Sequence, residues 1–307
     1  MIVYILKRLA VAIPTLLVLI IASFVLMHVA PGGPFTAERA VPPEVLANLN
    51  AKYGLDQPLW KQIATYLWGV VAHFDFGPSF VYKDRSVNDI ISQGFPVTLT
   101  YGFLSFIAAV LVGVTLGVTA AIKRNSWLDY LAVGISIGAQ VLPNFVMAPI
   151  LVLIFTLSLH WLPGGGWSFD DPRFWIMPVI ALSTSYMASI ARITRSSMLE
   201  VLSSNHIRTA RAKGLPKRKI IMRHALRPAL LPVISYLGPA FVSMITGSVI
   251  VDVYFTTGGI GKSFVDSALN RDYAVMMGVT ILLGTLTILF NLVVDIIYGW
   301  IDPKIRY

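Results

Sequence analysis

Only one stretch has the outline of a chemical site: Thr256-Thr257-Gly258-Gly259-Ile260-Gly261-Lys262-Ser263. Its Gly-Lys-Ser ending suggests a phosphate cradle, in which backbone amides and a lysine surround a nucleotide's phosphates. The full pattern, Gly-x4-Gly-Lys-Ser, needs glycine where Thr256 stands, and no strand precedes it. A Gly-rich turn leading into a short re-entrant or interfacial helix, Lys262 to Leu269, is the better reading. Covalent and metal catalysis find no firmer footing. The five histidines, His28, His73, His160, His206 and His224, are scattered, and there is no His-Glu-x-x-His, no Gly-x-Ser-x-Gly and no cysteine. A membrane-embedded hydrolase, the alternative from another functional class, lacks both a nucleophile with its base and a metal cluster.

The other chemically distinctive stretch is a charged island, residues 192–228. It holds ten of the chain's 24 basic residues, Arg192, Arg195, Arg208, Arg211, Lys213, Lys217, Arg218, Lys219, Arg223 and Arg227, against one acid, Glu200. Such a segment cannot lie in lipid, and its sign assigns it to the cytoplasm. Its local grammar predicts a helix from Met198 to Lys213, a left-handed stop at Gly214, and a second helix opened by Pro216 and running to about Leu226. Two readings compete: a solvated basic loop that merely orients the chain, or a docking lever for a cytoplasmic partner. The spacing Ala210-Arg211-Ala212-Lys213-Gly214-Leu215-Pro216, in a long loop between two spans, resembles the cytoplasmic coupling loop of ABC-importer permeases, and that resemblance favours the lever.

These segments must be positioned by membrane helices. Hydrophobic residues make up 56% of the 307, charged residues 13%, and mean hydropathy is +0.74, which excludes a soluble globular domain. The net charge of +9 needs no nucleic acid, because the basic residues cluster beside spans.

The chain reads as an all-α integral membrane protein with six transmembrane helices and both termini cytoplasmic. The expected spans are Leu9 to Val29, Val97 to Ile122, Tyr130 to Leu159, Phe174 to Ala191, Ala229 to Val251 and Tyr273 to Val294. The third is long enough to require tilt or a break, with Pro143 and Pro149 as kink sites. Small-residue pairs, Gly113-xxx-Gly117 and Gly134-xxx-Gly138, mark the second and third spans. Three segments follow from this: 1–30, the cytoplasmic N-terminus and first span; 31–96, a small extracytoplasmic cap; and 97–307, a five-helix core carrying the island. Within the cap, Glu44 to Tyr53 and Pro58 to Val71 read as short helices. With this topology 16 basic residues lie inside and 8 outside, as the positive-inside rule requires.

Ionisable residues near the spans, Asp129, Arg192, Asp252 and Asp295, fall at predicted helix ends, where interfacial hydration is their expected role. The midsections carry none, which argues against an ion-coupled carrier. Polar side chains within spans, Ser136, Gln140, Asn144 and Ser185, are candidates for a substrate path, though helix-packing hydrogen bonds explain them as well.

Along nearly its whole length the chain resembles the ABC-transporter permeases of the peptide, oligopeptide and nickel type, and within them the oligopeptide branch. The resemblance rests on Ile5-Leu6-Lys7-Arg8, Ala12-Ile13-Pro14-Thr15, Ala30-Pro31-Gly32, Tyr53-Gly54-Leu55-Asp56 and Asp75-Phe76-Gly77-Pro78-Ser79-Phe80. It continues through Trp161-Leu162-Pro163-Gly164-Gly165-Gly166, Ala191-Arg192-Ile193-Thr194-Arg195, Gly258-Gly259-Ile260-Gly261 and Ile301-Asp302-Pro303-Lys304-Ile305-Arg306-Tyr307. The general importer-loop pattern Glu-Ala-Ala-x-x-x-Gly reads Arg208-Thr209-Ala210-x-x-x-Gly214 here, a variant that peptide-type permeases share.

The resemblance implies an ATPase-coupling loop at His206, Ile207, Arg208, Thr209, Ala210, Arg211, Ala212, Lys213, Gly214, Leu215 and Pro216. It also implies a homologous second permease subunit, two cytoplasmic ABC ATPase subunits that hold ATP and Mg, and an extracytoplasmic solute-binding protein that delivers peptide. The chain itself would carry no cofactor, no metal and no ATPase site, and would sit among the lipids of the bacterial cytoplasmic (inner) membrane. Oligopeptides are the implied substrate, with dipeptides, murein peptides and nickel chelates left open.

Overall fold

The computed structural model describes residues 2–29 and 43–301. Among these the chain is helical, with one isolated antiparallel bridge between Pro78 and Ser86. Ala30-Pro31-Gly32 and the tail from Asp302 to Tyr307 lie outside the described residues. Four helices are long and apolar enough to cross a membrane, and two bent helix pairs bring the possible spans to six. The backbone divides into two compact units, one built from residues 1–98 and 258–307, the other from 99–257.

The first unit contains α1 (Ile2–Val29), α2 (Pro43–Tyr53), α3 (Leu59–His73), the opening of α4 (Val87–Ile122), α13 (Ile260–Leu269) and α14 (Tyr273–Ile301); the labels follow chain order. Ile20, Phe24 and Met27 of α1 meet Met277 and Ile281 of α14, and Ile63, Tyr66 and Leu67 of α3 join this cluster. A second cluster joins Val87 and Ile90 to Ile260, Ala274, Val275 and Val279. The segment between α3 and α4 is pinned by the buried Asp272, which accepts hydrogen bonds from the Ser79 hydroxyl and from the amides of Phe80 (3.1 Å) and Val275 (3.3 Å). One carboxylate thus satisfies the first turn of α14 and a loop far away in sequence. The Gly-rich turn spends its Ile260 amide on the Thr98 hydroxyl, at 2.9 Å.

The second unit holds the rest of α4, α5 (Trp127–Val141), α6 (Asn144–Leu151) with a π-helical continuation Val152–Ser158, and α7 (Arg173–Ser203). It continues with α8 (Asn205–Ala212), α9 (Lys217–Lys219), a π-helical stretch Ile220–Ala225, α10 (Leu226–Ala229), α11 (Leu231–Thr246) and α12 (Val249–Phe255). Here one expectation is met and two are revised. The long third apolar stretch is broken where Pro143 was expected to kink it: α5 and the α6 segment meet at 105°. The cause is Pro143, which forces Leu142 into an extended conformation, φ −83° and ψ 108°. In the island, the helix expected from Met198 to Lys213 is two: α7 runs without interruption from the span to Ser203, and Ser204, at ψ 157°, turns the chain into α8. The fifth span also differs, ending at Thr246, with α12 continuing beyond Gly247 to Phe255. A bend of 51° between Ala229 and Leu231 opens it, flanked by Pro228 and Pro232, neither of which has an N–H to give to the helical ladder.

Candidate functional site

The island's geometry starts at α8. Ser204 stops α7 by extending the chain, and its hydroxyl donates to the Val201 carbonyl at 2.6 Å. Only two turns later α8 ends at Lys213. Gly214 has φ +72°; its amide donates to Arg211 O at 2.9 Å, and the Leu215 amide reaches back to Ala210 O at 3.3 Å. This is the pattern of a Schellman stop, with Gly214 in the left-handed conformation that side chains disfavour. Leu215 then packs onto the cluster that includes Ala210, the apolar contact that accompanies such stops. The left-handed glycine expected from the sequence is present.

One face of α8 is buried. Ile207 and Ala210 sit in a cluster with Met198 of α7, Ala121 at the end of α4, Ile220 and Ala225 of the π-helical stretch and Ala229 of α10. The other face exposes His206, Arg208, Thr209, Arg211 and Lys213. So short a helix is marginal alone. Its rigidity comes from being packed against four other segments at once, while its basic face stays exposed.

Above α8, two arginines of α7 engage α5. Arg195 grips Asp129 with two bonds, Nε to Oδ1 at 2.6 Å and Nη2 to Oδ2 at 2.8 Å. The Asn125 amide supplies a third, at 3.0 Å. Asp129 is only 2% exposed, so the expectation of a hydrated end-of-span carboxylate is corrected: it is a buried carboxylate held in bidentate geometry by an arginine whose side chain is 30% exposed. Asp252 is corrected likewise, being fully buried and accepting from the Thr257 hydroxyl. Arg192, one turn from Arg195, is exposed and donates to Gln140 Oε1 at 2.6 Å. The sequence signal for the missed pair was present: an acid and an arginine on neighbouring apolar helices need each other.

The four polar path candidates fall into two places. Ser136 and Gln140 line a cavity of about 410 Å³ between α4, α5 and α7, together with Arg192 and Arg195. The Ser136 hydroxyl is already committed to the Ala132 carbonyl at 2.8 Å. Asn144 and Ser185 meet each other, with Ser185 Oγ 3.4 Å from Asn144 Oδ1. Among the described residues no group of three or more His, Asp or Glu could hold a metal ion.

Comparison with known proteins places this architecture. The chain is 57% identical over 304 residues, 99% of each protein, to the oligopeptide transport system permease protein OppB of Escherichia coli. It is 44% identical over 99% of this chain and 97% of the other to the dipeptide transport system permease protein DppB of Bacillus subtilis. An inward-facing structure of the MetNI methionine ABC transporter has the same fold over 70% of this chain and 97% of its own, with a TM-score of 0.60 at 18% identity. The model for the N-terminal part of binding-protein-dependent transport system membrane components matches residues 1–102. With the companion model for the inner membrane component matching residues 113–307, the chain belongs to the family of binding-protein-dependent transport system inner membrane components.

Proposed function

We propose that this chain is the permease subunit of an ATP-driven, binding-protein-dependent importer of oligopeptides, in the cytoplasmic membrane of a bacterium. The observation that carries the reading is end-to-end identity of 57% with a protein named for oligopeptide transport. A dipeptide substrate is the second reading, favoured by the 44% identical relative named for dipeptides. As a permease subunit the chain has no ATPase site of its own.

In this reading the chain crosses the membrane six times with both termini in the cytoplasm, segment 31–96 forms an extracytoplasmic cap, and 97–307 forms the core. Support comes from the excess of basic residues on the inner segments and from the two bent pairs that complete six spans. A second permease subunit supplies the other half of the pathway. Two cytoplasmic ATPases bind ATP and Mg, and a solute-binding protein docks outside.

The coupling element is His206 to Pro216. When ATP draws the ATPases together, the exposed basic face of α8 moves with them. Ile207 and Ala210 are locked to α7, α4 and α10, so the displacement is transmitted rather than absorbed by bending. The free energy is the stronger binding of ATP to the closed state. Ser136, Gln140, Asn144 and Ser185 are the proposed path residues, and the cavity shared by Ser136 and Gln140 supports that choice for these two.

The test is uptake of a labelled, hydrolysis-resistant tripeptide and of a dipeptide in cells with and without this chain, its partner subunits retained and ATP depleted as a control. ATP-dependent tripeptide uptake that disappears with the chain supports the proposal. Loss of dipeptide uptake alone moves the substrate to the second reading, and no loss of either removes the peptide assignment.

A further inference from the structure

We infer that α3 is an interfacial helix, whose Trp60, Ala64, Trp68 and Val71 face dips into the headgroup region of the leaflet at the C-terminal end of α1. At 100° per residue these four side chains occupy a sector of roughly 80°. Every large one of them is exposed: Trp60 71%, Trp68 69% and Val71 69%. An adjacent sector carries Ile63, Tyr66 and Leu67, which pack on Phe24 and Met27 of α1 and Met277 of α14. A single 15-residue helix therefore has two apolar faces, of which only one is used inside its unit.

The first face sets the depth of the second. Phe24 and Met27 lie near the C-terminal end of the uncharged run Leu9 to Val29, so α3 packs on α1 towards the end of its apolar length. Leu26 of α1, next to Met27, is also exposed, at 70%, and tryptophan is the side chain that favours the edge of the hydrocarbon core. Lys61 flanks the stripe, as basic residues do on helices lying in the headgroup layer. Phe74 adds an independent observation. It ends α3 at φ 52°, a conformation costly for a bulky residue, and yet its ring is 77% exposed. A lipid surface would give that ring the apolar contact that the protein does not.

The experiment uses the natural absence of cysteine. Single cysteines replace Trp60, Trp68 and Val71, with Ala51 and Asp56 as controls, in the full chain with its partner subunits in phospholipid vesicles; each carries a nitroxide label. Collision with oxygen, which concentrates in lipid, should exceed collision with a water-soluble nickel chelate severalfold at the three stripe sites, and the order should reverse at the controls. Chelate access at the stripe equal to the controls overturns the inference, as does shielding from both agents, which would assign the face to a protein partner. Tryptophan substitution could unsettle α3, so a second arm keeps the rings aromatic. Lipids brominated near the headgroup should quench a smaller share of tryptophan fluorescence in W60F/W68F than in the unaltered chain, and an unchanged share overturns the inference.

Discussion

Gly113 and Gly117 on α4, and Gly134 and Gly138 on α5, have the same four-residue spacing on consecutive apolar helices, but the second unit uses only the first pair for packing. A Cβ at Gly117 would stand 2.5 Å from the Ala191 carbonyl oxygen, and one at Gly113 2.8 Å from that of Met187. There α4 lies against α7 almost backbone to backbone. At Gly134 and Gly138 a Cβ would meet no heavy atom within 4 Å. The second helix holds α7 by other means, the Asp129–Arg195 pair and the Arg192–Gln140 bond, on its opposite face. The difference teaches that a small-residue motif licenses close approach without stating which neighbour, if any, comes close.

Four variants sharpen this contrast. The largest effect is expected for Asp129→Ala, which strands the Arg195 guanidinium beside α5. Removing the acid takes two charge-assisted hydrogen bonds from a guanidinium whose side chain is 30% exposed, a loss of about 2–3 kcal/mol, and thermal unfolding of the purified complex in detergent should show it, with Arg195→Met in the same chain recovering part of the loss. Gly117→Val follows, at about 1–3 kcal/mol for an overpacked contact, read as reduced folded yield in membranes; a normal yield would mean that α4 and α7 are less tightly joined than described.

Gly214→Val comes third. No heavy atom lies within 4 Å of a Cβ there, so its cost is the backbone strain alone, about 1–2 kcal/mol. ATP-dependent uptake should fall far more than stability, with Gly214→Asn intermediate, since asparagine tolerates a left-handed backbone. Unchanged uptake in the valine variant would remove α8's stop from the coupling mechanism. The smallest effect is expected for Gly134→Ala with Gly138→Ala: a shift within about 1 kcal/mol per site, towards greater helix stability. A large loss of stability in the assembled complex would reveal a helix packed there by a partner.

Much of the candidate site was legible beforehand, because it rests on local rules. Gly214 before Leu215-Pro216 announces a helix stop whatever surrounds it, and the basic excess of residues 192–228 excludes lipid. The helix boundary at Ser203 was not legible, since nothing in Met198 to Lys213 forbids one continuous helix. Only the docking of Ile207 and Ala210 against Met198 and Ala225 turns the chain there. The role of Asp129 was misread for a similar reason: a position near a helix end suggests hydration, and only the approach of α7 supplies Arg195.

Composition and periodicity alone determined that this is a helical membrane protein with a long basic segment between apolar stretches, because the cost of placing charge or unpaired backbone in lipid leaves few alternatives. The tertiary structure decided which glycine pair is packed, where α7 ends, that Asp129 is paired and that α3 keeps a second apolar face exposed. Each of these depends on the direction from which a distant segment arrives, and contact energies fall away within a few ångströms, so no local pattern in the chain records them.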